Sequence, residues 1–488
     1  MTTVGSASFW SFLERIARVG VPALIAILMA RVLPPDEFAW IAMVMAFLSF
    51  FQILVDGGLG QALVQKEKID EIDISSSFYF TIAVGLIMAA AFFFAAPWIA
   101  TFYKQPPLEY IGYWLSLNLI LKSIGVVPTA LLLRRLRFKA ILASTSFSVV
   151  FSGVIGVSMA YMGFGIWSLV VYTLSASTLY TLAVLFVGHW TPRLEFSLQR
   201  VEETIAFSGN LIASSFLGAI EKNIMTLIIG RLFPPALLAF YNFSLMLALL
   251  PVTNICSAAE RVLFSSLSRV QKDKDALVSL TRKALQMLSL IIFPMMIGLA
   301  MTAPILIPIL LTEKWESSIP FLQLFCLLGI LYPIHVVNLV VLKAQGRADI
   351  FFRLAVIRAL IEYPILIVCI LWGVGAIIWG QVVASVIALF VNSYFTKKML
   401  HYSIWAQFHD IASYAAASIV MAISILCVDL FQISSAHLNL TLKVLIGVLA
   451  YTLWCYSLRL TAFLTLRNWA LKYAVLALKA AGQNQGKV

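Results

Sequence analysis

Apolar residues form long runs along nearly the whole chain, and short polar or charged stretches separate one run from the next. An α-helix rises about 1.5 Å per residue, so a run of about twenty residues crosses a hydrocarbon core roughly 30 Å thick. Strands of a membrane barrel alternate apolar and polar residues, whereas these runs are apolar on every side. The pattern therefore predicts an all-α polytopic membrane protein with about fourteen transmembrane helices. We place them at residues 9–33, 37–56, 75–99, 109–133, 141–161, 166–188, 204–233, 236–257, 280–311, 318–342, 350–372, 374–396, 409–430 and 441–463.

The composition supports this class of protein. Of the 488 residues, 62% are hydrophobic and 11% are charged, whereas soluble domains average nearly half and about a quarter. The first run contains Glu14, Arg15 and Arg18 and has no basic segment before it, so we expect a retained helix rather than a cleaved signal peptide. The five cysteines lie in apolar runs without paired spacing, which is typical of buried hydrophobic residues rather than of disulfides or metal ligands.

Basic residues are distributed unequally between the two alternating sets of loops. One set carries most of them, as in RRLRFK (134–139) and QKDK (271–274). The positive-inside rule assigns this set to the cytoplasm and predicts that both termini are cytoplasmic. The net charge of +12 then reflects topology and contact with anionic bilayer lipids, while the scattering of the basic residues argues against nucleic-acid binding. In the basic tail, residues 464–482, we expect a helix lying in the membrane interface.

Several short sequence motifs occur twice in the chain, in the same order. RVLPPDEFAW (31–40) returns as RLFPPALLAF (231–240), and VQKEK (64–68) returns as VQKDK (270–274). The matches indicate a duplicated six-helix unit, and an even number of helices makes the two copies parallel repeats. We predict an N-lobe at 1–200 (spans one to six), a C-lobe at 201–400 (spans seven to twelve), and two further spans with the basic interfacial helix at 401–488.

Two six-helix lobes side by side leave a central cleft, and rocking one lobe against the other gives alternating access. Ionisable residues inside spans are costly and usually line such a cavity. Basic residues of this kind occur in both lobes and predict a cationic cleft, open to the cytoplasm and suited to phosphate or pyrophosphate groups. The candidate substrate-binding residues are Lys122, Lys222, Arg358, Arg18, Arg15 and Arg353.

Both kinds of charge in the spans also have a simpler interpretation. Arg15, Arg18 and Arg353 lie near enough to the rim to extend their side chains into the interface instead. The acids inside the spans are candidates for coupling to protons or sodium, or alternatively they neutralise neighbouring basic residues. These acids are Glu14, Glu221 and Glu362.

Motifs for catalysis or cofactor binding are not visible in the sequence. GGLG (57–60) has no following Gly-Lys-Ser/Thr and is no P-loop, and the five histidines have no ligand spacing. Asp36 directly follows Pro-Pro, which is typical of a helix start rather than of a glycosyltransferase motif. We therefore expect a transporter without a catalytic site, metal or cofactor. A polysaccharide polymerase or ligase would need larger outer loops.

Four segments carry a resemblance to a known family: DGGLGQALVQKEKID (56–70), TALLLRRLRF (129–138), KNIMTLIIGRLF (222–233) and AERVLFSSLSRVQKD (259–273). They resemble the Wzx-type oligosaccharide-lipid flippases of the multidrug, oligosaccharidyl-lipid and polysaccharide exporter superfamily. The resemblance implies a V-shaped pair of lobes that moves undecaprenyl-pyrophosphate-linked oligosaccharide repeat units from the cytoplasmic to the periplasmic leaflet, for capsule, exopolysaccharide or O-antigen synthesis. It also implies a bacterial inner-membrane location, with the polysaccharide polymerase and glycosyltransferases of the pathway as candidate partners.

The resemblance extends to one candidate residue and departs from the family beside it. Lys222 stands where relatives often have a basic residue before Asn-hydrophobic-Asp; Asn223 is kept, but Met225 takes the place of the acid. Ion coupling through that acid is therefore in doubt, and Glu221 is the candidate substitute. The alternative function is a multidrug antiporter of the same superfamily. Such a protein would favour an acidic or aromatic cleft for cationic drugs, whereas the charge surplus inside the spans here is basic.

Overall fold

The computed structural model describes residues 19–468, and for residues 203–211 and 348 it describes the backbone alone. Across this part of the chain every regular element is a helix, and no strand occurs. The predicted all-α class is therefore confirmed. Helices suit a bilayer because they satisfy backbone N–H and C=O groups within one segment, where no water is present to bond them.

The chain divides into two compact units, residues 1–239 (unit 1) and 240–488 (unit 2). The helices of unit 1 are α1 (Val19–Ala30), α2 (Pro35–Asp56), α3 (Leu59–Gln65), α4 (Glu71–Tyr103), α5 (Pro107–Arg134), α6 (Phe138–Tyr161), α7 (Ile166–Gly188) and α8 (Leu198–Leu232). The helices of unit 2 are α9 (Pro235–Arg269), α10 (Lys274–Leu311), α11 (Ile319–Ala344), α12 (Ala348–Cys369), α13 (Val374–Leu400), α14 (Ile404–Asp429) and α15 (Ala436–Ser457).

Thirteen segments in the described residues are long and apolar enough to cross a membrane, with α2 and α3 forming one of them. They correspond to thirteen of the fourteen predicted spans. The remaining span, predicted at 9–33, is described only from residue 19 onward, where α1 is a shorter apolar helix. The structure thus confirms a polytopic helical membrane protein.

Several helix ends differ from the predicted spans. α9 continues to Arg269, although the apolar run ends near residue 257, because hydropathy marks the bilayer and not the end of a helix. The span predicted at 441–463 is interrupted after Ser457: Arg459 has a φ of 50°, and the helix resumes at 461–468. Most of the predicted interfacial tail lies outside the described residues.

Both double prolines lie between two helices, as predicted. α2 begins at Pro35 and α9 begins at Pro235, each the second proline of its pair. Proline suits this first position because its missing N–H would have no partner inside the helix. The parallel repeat and the division between residues 200 and 201 stay predictions. That division falls inside α8, which packs against α2 and α4 of unit 1.

Small residues let the helices of unit 1 approach closely. A methyl group added to Gly112 of α5 would come within 2.7 Å of the Cβ of Ala96 on α4. Such close contacts matter in membranes because apolar side chains gain little by leaving lipid for protein. α5 contacts α2, α3, α4, α6 and α7, and its Leu115, Leu119 and Val127 are fully buried. It is therefore the central helix of this unit.

Unit 2 contains buried polar groups that join α11, α13 and α14. Asn338 Nδ2 donates to Gln407 Oε1 (2.9 Å), and Gln407 Nε2 donates back to Asn338 Oδ1 (3.0 Å). On the same helices His335 is hydrogen-bonded to Ser385 (2.9 Å) and to Asn392 (3.0 Å). Hydrogen bonds between helices satisfy polar groups that lipid cannot, so these pairs fix how the three helices pack.

The segment between α7 and α8, residues 189–197, has no regular structure but is bonded to the start of α4. The backbone N–H of Arg193 donates to Ser75 Oγ (3.1 Å), and the backbone N–H of Ser197 donates to Ser76 Oγ (2.9 Å). Both serines are fully buried. The segment is therefore a fixed part of unit 1 and packs along α4.

Candidate functional site

A cavity of 810 Å³ lies inside unit 1, lined by α2, α3, α5, α6, α7 and α8. This volume is in the range of about 300–1,000 Å³ typical of small-molecule sites. The lining residues of α2, α5, α6 and α7 lie between about the middle of each helix and its end nearest the basic loops 66–70 and 134–139. Along α5 the cavity extends from Leu133 to Lys122, about 17 Å at 1.5 Å per residue, and so reaches the middle of that helix.

One cation and one anion line the cavity. Lys122 is half-buried in the middle of α5, and Asp56 is the last residue of α2. The two charges interact electrostatically, but among the described side chains neither forms an ion pair within 4 Å. Gln52, one turn before Asp56, donates its Nε2 to Asp56 Oδ1 (3.0 Å). The cavity therefore carries one charge of each sign and is close to neutral.

Uncharged polar groups line part of the remaining wall, which is otherwise mainly apolar. The hydroxyls of Thr129 and Tyr180 lie 3.4 Å apart, and Gln61 on α3 is exposed. Thr145 Oγ1 is buried and has no hydrogen-bond partner in the described part of the chain. Thr181, in contrast, donates to the Leu121 carbonyl (2.9 Å) and belongs to the packing of α5 against α7. The wall thus presents both donors and acceptors.

Two glycines separate α2 from α3 and turn α3 into a wall of the cavity. Gly57 and Gly58 have φ values of 50° and 68°, in the left-handed region where residues with a Cβ are strained. The chain leaves α2 through this pair and enters α3, whose Gly60 and Gln61 line the cavity. Glycine is therefore required here for the turn.

Arg134 at the end of α5 caps α3. Its guanidinium donates to the backbone carbonyls of Leu63 (2.9 Å), Val64 (3.2 Å) and Glu67 (2.8 Å), and also to that of Lys66. A helix C-terminus leaves its last carbonyls without partners inside the helix. The planar fork of one arginine satisfies several of them at once. α5 therefore holds α3 in place at the basic end of the cavity.

A buried carboxylate also joins the helices at this end. Asp73 on α4 is 3% exposed and lies 3.0 Å from Lys66 Nζ and 3.7 Å from Arg200 of α8. It also accepts a hydrogen bond from the backbone N–H of Asp70 (3.1 Å), which completes the N-terminal cap of α4. These contacts link the loop after α3 to both α4 and α8.

The structure places the predicted site residues of unit 1 in different surroundings. Lys122 lines the cavity. Lys222 and Glu221 are exposed on α8 and are not lining residues, while Asn223 donates its Nδ2 to Ser49 Oγ of α2 (3.0 Å). The cavity therefore holds only one of the predicted cations that the structure describes in this unit.

In unit 2, Arg358 and Glu362 lie one turn apart on α12 and form an ion pair, with Arg358 Nε 3.2 Å from Glu362 Oε2. Arg353 is exposed on the same helix. Glu14, Arg15 and Arg18 lie outside the described residues. The convergence of these cations on one cleft stays a prediction.

The cysteines follow the prediction with one exception. Cys256, Cys326 and Cys455 are buried and Cys369 is half-buried, whereas Cys427 is exposed on α14. The prediction that all five are buried was wrong for Cys427, because an apolar helix in a membrane protein also has an outward face. Across residues 19–468 no group of three or more His, Cys, Asp or Glu side chains could hold a metal ion.

Comparison with solved structures identifies the fold. A lipid II flippase MurJ in an inward closed conformation superposes with a TM-score of 0.72 at 15% identity, covering 93% of this chain and 98% of that one. An inward-facing multidrug resistance MATE transporter of the MOP superfamily gives a TM-score of 0.58 at 12% identity, covering 79% and 96%. The chain therefore has the fold of this superfamily of membrane transporters.

Sequence comparison identifies the family. The chain belongs to the polysaccharide biosynthesis protein family, because the sequence model of that family matches residues 28–320. The succinoglycan biosynthesis transport protein ExoT of Rhizobium meliloti is 30% identical over 72% of this chain and 71% of its own. The lipopolysaccharide biosynthesis protein WzxC of Escherichia coli is 24% identical over 74% of each chain. The resemblance to Wzx-type proteins is confirmed, and the chain is a multi-pass bacterial membrane protein.

The polar residues that line the cavity together with Lys122 were not evident from the sequence. Asp56 ends an apolar run, so it resembles an ordinary interfacial acid, and it is 66 positions from Lys122. The four-residue spacing of Gln52 and Asp56 was the available signal, because it puts both side chains on one helix face. Gln61 was hidden in a segment without any periodic pattern, which folds as the short helix α3.

Proposed function

We propose that this protein is a flippase that moves undecaprenyl-pyrophosphate-linked oligosaccharide repeat units from the cytoplasmic to the periplasmic leaflet by alternating access. Both termini and the basic loops lie in the cytoplasm in this proposal, as the positive-inside rule requires. The polymer served is a capsule, exopolysaccharide or O-antigen. ExoT and WzxC, by their names, act in succinoglycan and lipopolysaccharide biosynthesis.

The observation that carries the proposal is a cavity with charged and polar wall groups inside a membrane-spanning unit. Lys122 lies near the middle of α5, where an ionisable side chain is costly unless it serves a cavity. The cavity lies at the basic end of unit 1, so in the proposed orientation it belongs to the cytoplasmic half, where the lipid-linked substrate is made. Multidrug transport is the weaker alternative, because the sequence relatives ExoT and WzxC are named for polysaccharide biosynthesis.

The remaining roles are proposals that rest on the sequence. Lys222, Arg353 and Arg358 are the described cations we assign to the diphosphate, because arginine and lysine bind phosphate oxygens through charge-assisted hydrogen bonds. Glu362 and Glu221 are the described candidates for coupling to protons or sodium. The polymerase and glycosyltransferases of the same pathway are the proposed protein partners.

Lipid extraction from a deletion strain tests the proposed function. We expect single undecaprenyl-pyrophosphate-linked repeat units to accumulate, as measured by mass spectrometry. Because a blocked polymerase would also cause accumulation, spheroplasts are treated with a membrane-impermeant lectin that binds the sugar. If the accumulated units are inaccessible to the lectin, they remain in the cytoplasmic leaflet, and the step that is blocked is translocation. Normal polymer output together with increased sensitivity to cationic drugs would refute the flippase.

Complementation of that strain tests the proposed cations. Lys122→Ala and Lys222→Ala should each abolish polymer output while the protein still inserts at normal levels. Lys222→Arg should be milder if the role of this residue is electrostatic. Arg135→Ala is a matched control, because Arg135 is exposed and no side-chain contact of it is seen in the described structure. Normal output from either alanine variant would remove that lysine from the site.

A further inference from the structure

The charges and hydrogen-bonding groups that line the unit 1 cavity indicate which part of the lipid-linked substrate can bind there. This inference rests on the proposed function. A diphosphate group only accepts hydrogen bonds and carries negative charge, so it would be repelled by Asp56. A simple cation would be repelled by Lys122. Neither of these ligands matches a cavity that has one charge of each sign.

A sugar matches the cavity better. Each sugar hydroxyl donates one hydrogen bond and accepts others, so a saccharide needs donors and acceptors side by side. The Lys122 ammonium donates, the Asp56 carboxylate accepts, and the exposed Gln61 amide does both. The hydroxyl pair of Thr129 and Tyr180 adds two more groups of mixed character on the opposite helices α5 and α7.

Unused hydrogen-bonding capacity supports the same ligand. In the described part of the chain, the buried oxygens Gln52 Oε1 and Thr145 Oγ1 have no hydrogen-bond partner. A buried polar atom without a partner is costly, so such atoms commonly face a ligand or water that is bound in the working protein. Both Gln52 and Thr145 are lining residues of the cavity.

We propose that the unit 1 cavity is a saccharide subsite, in which Asp56, Gln61, Lys122 and Tyr180 bind sugar hydroxyls of the lipid-linked repeat unit. The diphosphate lies outside this cavity, at other cations of the protein. The subsite therefore contributes to recognition of the sugar, and the identity of the sugars should affect transport through these side chains.

Binding of the free saccharide tests the subsite. The probe is the repeat-unit oligosaccharide released by mild acid from the lipid extract of the deletion strain. Its dissociation constant is measured by thermophoresis with the purified full-length protein in lipid nanodiscs, at saccharide concentrations up to the millimolar range. Tyr180→Phe and Gln61→Leu remove single polar groups and should each weaken binding about 3- to 10-fold, the effect of one lost hydrogen bond.

Two controls separate a saccharide subsite from an anion site and from a general effect of losing a tyrosine hydroxyl. Tyr161→Phe makes the same change at an exposed tyrosine at the far end of α6, outside the cavity, and should leave the dissociation constant unchanged. Inorganic pyrophosphate should not displace the saccharide from the wild-type protein, because the Asp56 carboxylate repels it. Displacement of the saccharide from the wild-type protein by pyrophosphate would overturn the subsite in favour of an anion site.

The outcomes also distinguish the subsite from the function. Repeat units that accumulate in the deletion strain, together with a released saccharide that does not bind the wild-type protein, would overturn the subsite and leave the flippase standing. A deletion strain without accumulated repeat units would overturn the flippase itself. Equal weakening by Tyr161→Phe and Tyr180→Phe would also count against the subsite, because only one of these residues lines the cavity.

Discussion

Replacing Arg134 with alanine should release α3 from unit 1 while the rest of the unit stays folded. The guanidinium donates to four backbone carbonyls in the segment 63–67. α3 has only seven residues and follows two left-handed glycines, so it has little stability of its own. Without the cap, its last carbonyls would have to bond water or remain unbonded.

The size of the effect follows from those hydrogen bonds. Hydrogen bonds to a charged group contribute about 1.5–3 kcal/mol each, but four bonds from one side chain are not additive. Arg134 is half-buried, and the Glu67 end of the segment is exposed, so water replaces part of the loss. We expect the free energy of local unfolding of α3 to fall by about 2–4 kcal/mol. At 1.4 kcal/mol per factor of ten, this equals about 30- to 700-fold.

Hydrogen–deuterium exchange of the protein in nanodiscs measures this quantity directly. Peptides covering residues 59–66 should exchange faster in Arg134→Ala by the stated factor, whereas peptides from α5 itself should change little. Arg134→Lys should lie between the two, because an ammonium cannot match the planar fork. The adjacent Arg135→Ala is the control. Unchanged exchange in Arg134→Ala, or equal acceleration in Arg135→Ala, would refute the assignment of Arg134 as the cap.

Three further predictions concern stability, measured by thermal unfolding in detergent. Gly112→Ala should cost about 1–3 kcal/mol because the added methyl meets Ala96, and the further change Ala96→Gly should restore most of it. Gln407→Leu should cost about 1–3 kcal/mol because it leaves the buried Asn338 Oδ1 without its donor, whereas replacing both residues with leucine should be nearly neutral. Asp73→Ala should cost about 2–4 kcal/mol because it removes the buried partner of two basic side chains. Added salt should reduce the difference in stability between this variant and the wild type.

The membrane spans were predictable from the sequence because the bilayer imposes one length and one composition on each of them. The positions of Pro35 and Pro235 were predictable for a similar reason, since proline has few favourable places in a helix. The extension of α9 beyond the bilayer was not predictable from hydropathy, because polar residues continue a helix as well as apolar ones do.

Of the site, only Lys122 was predictable from the sequence, because it can be recognised without knowing its neighbours. Lys122 stands out because it is charged inside a span. The position of Asp56 beside Lys122 depends on how α2 is rotated about its axis where it packs against α5. A single sequence does not specify that rotation. The pairing of Asn338 with Gln407 is hidden for the same reason: each is an ordinary amide until two helices bring them within 3.0 Å.

The attachment of segment 189–197 to α4 has a practical meaning for protein engineering. A long irregular segment between two helices is the natural place to join parts of two related chains, or to insert a tag or a protease site. Here its backbone N–H groups are used by Ser75 and Ser76, which are far earlier in the chain. A chimaera joined within this segment therefore needs serines at both positions in whichever parent supplies α4. A junction in the turn between α8 and α9 carries no such requirement.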